Sequence, residues 1–165
     1  MNPSTEIYMA EGSHLEMETI QIEGINSTER RTYAKVEDGA SIVIKEKIMT
    51  HDRQVATTDF KAELVGTGSS ADICSRSVAK DDSKQTFRSN IIGAAECKGH
   101  SECDAIIMDH AIVEAIPELT ASNIDASLIH EAAIGKIAGE QLIKLMTLGL
   151  TEEEAEEQII TGFLK

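Results

Sequence analysis

Tryptophan is absent from this chain of 165 residues, and only two tyrosines and three phenylalanines accompany its aliphatic residues. A core so poor in large rings must be made mainly from Ile, Leu, Val and Ala. That composition suits narrow, regularly stacked structures better than a sandwich built around aromatic side chains. Cations are also in deficit: fifteen Lys and Arg against twenty-nine Asp and Glu leave a formal net charge of −14. Binding nucleic acid through its phosphates needs clustered cations, so the balance argues against that class, and equally against an anionic membrane surface. No apolar run approaches the roughly 20 residues that span a bilayer. The stretch MNPSTEIYMAEGSHLE has no basic region followed by an apolar core, so no secretory signal is visible. Three cysteines, an odd number, without such a signal read as reduced thiols of a cytoplasmic protein. Proline occurs only at Pro3 and Pro117.

What is present divides the chain in two: a β region over residues 1–130 and a helical segment over 131–165. In the first region apolar residues alternate with polar ones. Ile20 and Ile22 do so in TIQIEGI, Ile42 and Ile44 in SIVIKEKI, and Phe60, Ala62 and Leu64 in FKAEL. Period two reads as short strands with one buried face. Gly-led turns recur at Gly12, Gly39, Gly68 and Gly99, at spacings of 27, 29 and 31 residues. Units of that length, each with several strands, predict a parallel β-helix whose stacked turns share one core; a β-sandwich is the rival architecture. In the helical segment, EQLIKLMTLGL places Leu142, Ile143, Leu145 and Met146 on one stripe and ends at Gly149. TEEEAEEQIITGFL then opens with a capping box, Thr151 and Glu154, with Ala155, Ile159 and Phe163 on the buried side. The acidic run EEEAEE reads as a solvated helix face.

Two clusters carry chemistry. In AECKGHSECDAIIM, Cys97, His100 and Cys103 offer soft and imidazole ligands, with Cys74, His110 or His130 available as a fourth. The spacing C-x2-H-x2-C is not an established zinc pattern, so Cys97 and His100 are the weaker metal candidates. Strand alternation groups Cys103 with Ala105 and Ile107, which equally describes a small residue facing the core. In SLIHEAAIGKI, His130 and Glu131 stand where strand gives way to helix. Both types bind iron or zinc, but adjacent residues of one strand point oppositely, so a shared ion demands a bend or an interface.

The order and spacing of ECDAIIMDHA, AIPEL, LIHEAAIGKI and EQLIKLMTLGLTEEEAEEQIITGFL resemble the C-terminal part of the SufB/SufD family, scaffolds of iron–sulfur cluster assembly. The resemblance implies a right-handed parallel β-helix closed by a short C-terminal α-helical segment. It also implies a homodimer or a SufB/SufD-like heterodimer through the β-helix, and an ABC-type ATPase at the terminal helices. Cys103 matches a cysteine implicated in receiving sulfur, His130 an interface histidine, and Glu131 an acidic residue beside it. A transient iron–sulfur cluster would be the cargo. Family members usually run longer at both ends, so the expectation is a fragment or a compact relative. ATP hydrolysis would belong to the partner, since no G-x-x-x-x-G-K-[ST] loop is present. The rivals are a β-helix interaction module without cluster chemistry, a zinc protein using Cys97, His100 and Cys103, and a stand-alone enzyme. The enzyme reading lacks both a G-x-S-x-G elbow and an H-E-x-x-H helix.

Overall fold

The alternating segments form ten strands in the computed structural model, which describes residues 1–22 and 24–165. They are β1 (Ser4–Met9), β2 (His14–Gln21), β3 (Ser27–Val36), β4 (Ser41–Thr50), β5 (Val55–Leu64), β6 (Ser69–Ala79), β7 (Lys84–Gly93), β8 (Cys97–Ile107), β9 (Ile112–Ala121) and β10 (Ala126–Gly135). Odd strands form one parallel sheet in the order β1-β3-β5-β7-β9, and even strands a second, β2-β4-β6-β8-β10. Among the described residues no strand pairs with its sequence neighbour; each of the first eight pairs with the strand two further on. Ser4 pairs with Arg31, Ser27 with Val55, Val55 with Lys84 and Lys84 with Ile112, so one turn takes 27 to 29 residues. The result is a β-solenoid of about five turns with two helices after it, as the sequence reading expects.

Two corners set this repeat. At one, Gly12, Gly39 and Gly68 adopt positive φ (68°, 61° and 72°), and Gly39 N–H donates to the Thr67 carbonyl of the next turn. Only glycine takes that conformation without a steric penalty. The fourth expected glycine corner is different: Gly99 lies inside β8, in register with Ala71, and the corner itself falls at residues 94–96. Gly99 is small for another reason. A Cβ there would sit 2.7 Å from Ile91 Cγ2 and 2.7 Å from Leu128 Cδ2. The second corner is built from aspartates. Asp52, Asp81 and Asp109 hold φ of 52°, 56° and 54°, with Asp52 N–H donating to Asp81 Oδ2 (2.8 Å) and Asp81 N–H to Asp109 Oδ2 (3.2 Å). Asp tolerates this region better than most residues, and the carboxylate ladder satisfies the turn's exposed N–H groups.

Between the sheets the interior has two halves. Near the glycine corner it is apolar: Val36, Ile42, Ile44, Leu64, Ile73 and Ile91 are each at most 2% exposed. Toward the aspartate corner the inward side chains turn polar. Glu46, fully buried on β4, accepts from Arg30 Nη1 (3.0 Å), Thr58 Oγ1 (2.9 Å) and Ser75 Oγ (3.0 Å), and Ser89 meets Ser101 at 2.7 Å. Such a network is tolerable inside because every charge has a partner. Ile42, Ile44, Phe60, Ala62 and Leu64 face inward as their alternation predicts. Ile20 does not: Leu15 and Met17 pair with Ile42 and Ile44, so parity sends Ile20 outward, 57% exposed.

The changeover to helix comes later than residue 130, since β10 continues to Gly135. Helix α1 (Gly139–Met146) has a half-buried Leu142 and Leu145, while Ile143, Met146 and the following Leu148 stay exposed. Gly149, at φ 98°, ends this segment. Helix α2 (Glu152–Phe163) begins with the expected capping box: Glu154 N–H donates to Thr151 Oγ1 and Thr151 N–H to Glu154 Oε2. Ala155 and Ile160 are its buried residues, with Ile159 and Phe163 half-buried.

Candidate functional site

The β8 segment distributes its cluster across both faces of one sheet. Cys97, Gly99, Ser101, Cys103 and Ala105 point inward, while His100, Glu102 and Asp104 point outward. Cys97 and Cys103 are 3% and 1% exposed, on the same side and six positions apart, with His100 on the other. The three potential ligands of C-x2-H-x2-C therefore do not converge within this chain.

Cys103 stands in the polar half of the interior. The column through it runs Thr19, Glu46, Ser75, Cys103, Ala132, one residue per turn. Burial, with Asp104 and Glu46 nearby, pushes its thiol up to about 12, so at neutral pH it is protonated. His130 and Glu131 lie in the middle of β10 rather than at the strand's end, and no bend separates them. Consecutive strand residues face opposite ways, and so do these. His130 points inward, in register with Ser101, while Cys103 is in register with Ala132. His130 thus sits diagonally across from Cys103 on the same inner face, one turn on. Its Nδ1 is buried and has no hydrogen-bond partner among the described residues. An orphaned imidazole nitrogen costs about 1–3 kcal/mol, which a metal or a partner's donor would relieve.

Glu131 faces outward beside a group that sequence reasoning had not assembled. His100 Nδ1 lies 2.9 Å from Asp72 Oδ1, and Nε2 lies 3.4 Å from Glu131 Oε2. The hydrogen bond to Asp72 and, less strongly, the contact with Glu131 raise the His100 pKa against the opposing effect of burial. Glu102 pairs in register with Glu131 on one side and with Cys74 on the other. Cys74 is pushed to about 11, first by burial and then by Glu102. Asp72 precedes His100 by 28 residues, one solenoid turn, and that interval was the available signal for their contact.

Another donor set lies at the aspartate corner, where ligand atoms of His51, Asp52 and Asp81 fall within 4.8 Å of one another. Those atoms are already engaged: His51 Nδ1 with Asp52 Oδ2 at 2.8 Å, and Asp81 Oδ2 with the Asp52 N–H. The set is accounted for as part of the turn.

The sequence matches known proteins. A family model described as "SUF system FeS cluster assembly, SufBD core domain" matches residues 2–163. An iron-sulfur cluster assembly SufBD family protein of Archaeoglobus fulgidus is 35% identical over 167 residues, covering 100% of this chain and 45% of its own. A SufBD family protein of Methanothermobacter thermautotrophicus is 46% identical over 103 residues, 61% of this chain and 25% of its own. The iron-sulfur cluster assembly protein SufB of Bacillus subtilis is 38% identical over 100 residues, 58% of this chain and 22% of its own. The chain spans less than half the length of each of these relatives. No helix among the described residues is long and apolar enough to cross a membrane.

Proposed function

Since the chain belongs to the SufBD family of the SUF system of iron–sulfur cluster assembly, we propose that it acts as a scaffold on which a transient cluster is built at Cys103 and His130. The observation that carries this reading is the unpartnered Nδ1 of His130, buried on the same inner face as the Cys103 thiol and one turn further along. Thiolate and imidazole are both competent iron ligands. A thiol held near 12 stays protonated until a cation arrives; iron binding to sulfur then releases that proton to solvent. His130, with no competing hydrogen bond at Nδ1, supplies a nitrogen donor next to it.

The chain is a scaffold in this reading, not an enzyme, and ATP hydrolysis belongs to an ABC-type ATPase partner. Exposed Ile143, Met146 and Leu148 on and after α1 are the apolar surface such a partner would cover. The β-helix dimerises, with itself or with a SufB/SufD-like chain, through the last turn. The location is cytoplasmic. Glu131 faces away from Cys103 and so does not share an ion with it inside one chain.

Anaerobic reconstitution with iron(II) and sulfide tests the assignment. Wild type develops visible cluster absorption, and Cys103→Ser and His130→Ala each lose most of it. Unchanged absorption in both variants, with folding verified by circular dichroism, would overturn the site.

A further inference from the structure

The outer face of the second sheet holds a set of donors that the Cys103–His130 reading leaves unused. Three adjacent strands contribute: Asp72 from β6, His100 and Glu102 from β8, and Glu131 from β10. We propose that His100 and Glu131, flanked by Glu102 and oriented by Asp72, form a binding site for a divalent metal cation on the outer surface of the sheet.

Three features point the same way. The first is the ring's orientation. A histidine that binds metal through one nitrogen commonly donates its other N–H to a carboxylate, which fixes tautomer and direction. Asp72 Oδ1, 2.9 Å from Nδ1, accepts that N–H, so that the neutral ring turns its Nε2 lone pair toward Glu131. The second is spacing. Nε2 and Glu131 Oε2 are 3.4 Å apart, beyond the usual separation of about 2.7–3.2 Å for N–H···O. Two ligands each about 2.1 Å from one tetrahedral ion lie about 3.4 Å from each other. The pair is long for a hydrogen bond and matches the edge of such a coordination polyhedron. The third is charge. Glu102 and Glu131 are directly opposite in the ladder, and like charges so placed destabilise a parallel or antiparallel pair. A cation between them removes that repulsion.

The site lies across one sheet from Cys103, on the same strand β8, so one element presents a metal site outside and a thiol inside. Nitrogen and oxygen donors of this kind suit iron(II) and zinc(II) alike. Naming iron(II) as the natural ligand rests on the proposed role in cluster assembly; the existence of the site does not.

The experiment is a zinc(II) titration of the 15N-labelled chain in sulfide-free buffer, read on the imidazole nitrogens by NMR. The expected result is a saturable shift of His100 Nε2. Glu131→Gln weakens that saturation at least tenfold, and Asp72→Asn weakens it by about 10–100-fold. Cys103→Ser, His130→Ala and His51→Ala leave the His100 transition unchanged. No saturable change at His100, or one untouched by Glu131→Gln and Asp72→Asn, overturns the proposal and leaves an imidazolium bridging two carboxylates. The readout contains no sulfide and no cluster. Loss of cluster in Cys103→Ser with the His100 transition intact therefore supports both sites, and failure of either assay falls on its own site alone.

Discussion

Glu46 shows how a single side chain sets the chemistry of the interior. It is a fully buried carboxylate two positions along its column from Cys103, with Ser75 between them. Burial raises its pKa; donors from Thr58, Arg30 and Ser75 oppose that without cancelling it. The sign follows from linkage. The folded form retains a proton over a range where the unfolded chain, with its ordinary value of 4.5, has lost it. Stability from this group is complete below that value and declines as pH rises toward the folded pKa, by up to about 1.4 kcal/mol per pH unit. Glu46→Gln has no such titration. Chemical denaturation from pH 4.5 upward should find the variant close to wild type at the acid end, where Glu46 is likewise neutral and either carbonyl accepts from Arg30, and gaining on wild type as pH rises. A difference independent of pH would show that Glu46 is ionised in both states. The same residue bears on Cys103, since a carboxylate in the interior holds the neighbouring thiol in its protonated form.

At the scale of elements, the two corners carry the repeat, and they were unequally legible. The glycine corner announces itself because Gly at regular intervals is conspicuous. Asp52, Asp81 and Asp109 recur at 29 and 28 residues, but aspartate is expected on any acidic surface, so the interval passes unnoticed. Their left-handed backbone gives a direct test. Asp81→Ala places a Cβ-bearing residue without a polar side chain at φ 56° and removes the acceptor for Asp52 N–H. It should lower stability by about 1–2 kcal/mol in urea denaturation. Asp81→Gly, which restores the φ but not the acceptor, should lose less, and Asp81→Asn least of all. Equal losses for Ala and Gly would mean that φ is not the constraint. Periodicity identified the strands well because alternation is a local property. Which parity faces inward is not local; it depends on cross-strand register, and so Ile20 was misplaced while Ile42 and Ile44 were not. The site follows the same logic. Cys103 with Ala105 on one face was readable from β8 alone, and the opposition of His130 and Glu131 was readable as a demand for a bend or an interface. That no bend exists, and that Glu131 therefore meets His100, required the register of β10 on β8.

For the whole molecule, the last turn is an end that the solenoid leaves open. Every interior turn is covered by the next, but β9 and β10 are sheet edges with pairing on one side only. Register makes the contrast quantitative. Ile91 is 0% exposed, whereas Leu119, its partner on β9, is 38% exposed; Ala105 is 4% exposed and its partner Ile134 on β10 is 39% exposed. An apolar interior with open strand edges is a template for another chain. A second copy or a SufB/SufD-like partner meeting this end would extend both sheets and cover Leu119, Leu128, His130 and Ile134. Such an interface buries apolar area that the isolated chain leaves wet, and about 25 cal/mol per Å² of it favours association. With the proposed dimer formed through this end, Leu119→Lys should shift the protein toward monomer in sedimentation equilibrium while circular dichroism stays unchanged. Ile20→Lys, on the outward face of the first turn, should leave association as it was. The reading in which the cargo site lies at this same end adds a second demand. With Cys103 and His130 on one chain, Leu119→Lys should lose the dimer and keep cluster absorption, whereas Cys103→Ser loses the absorption and keeps the dimer. Loss of the cluster by a monomeric Leu119→Lys variant would show instead that a second chain supplies a ligand.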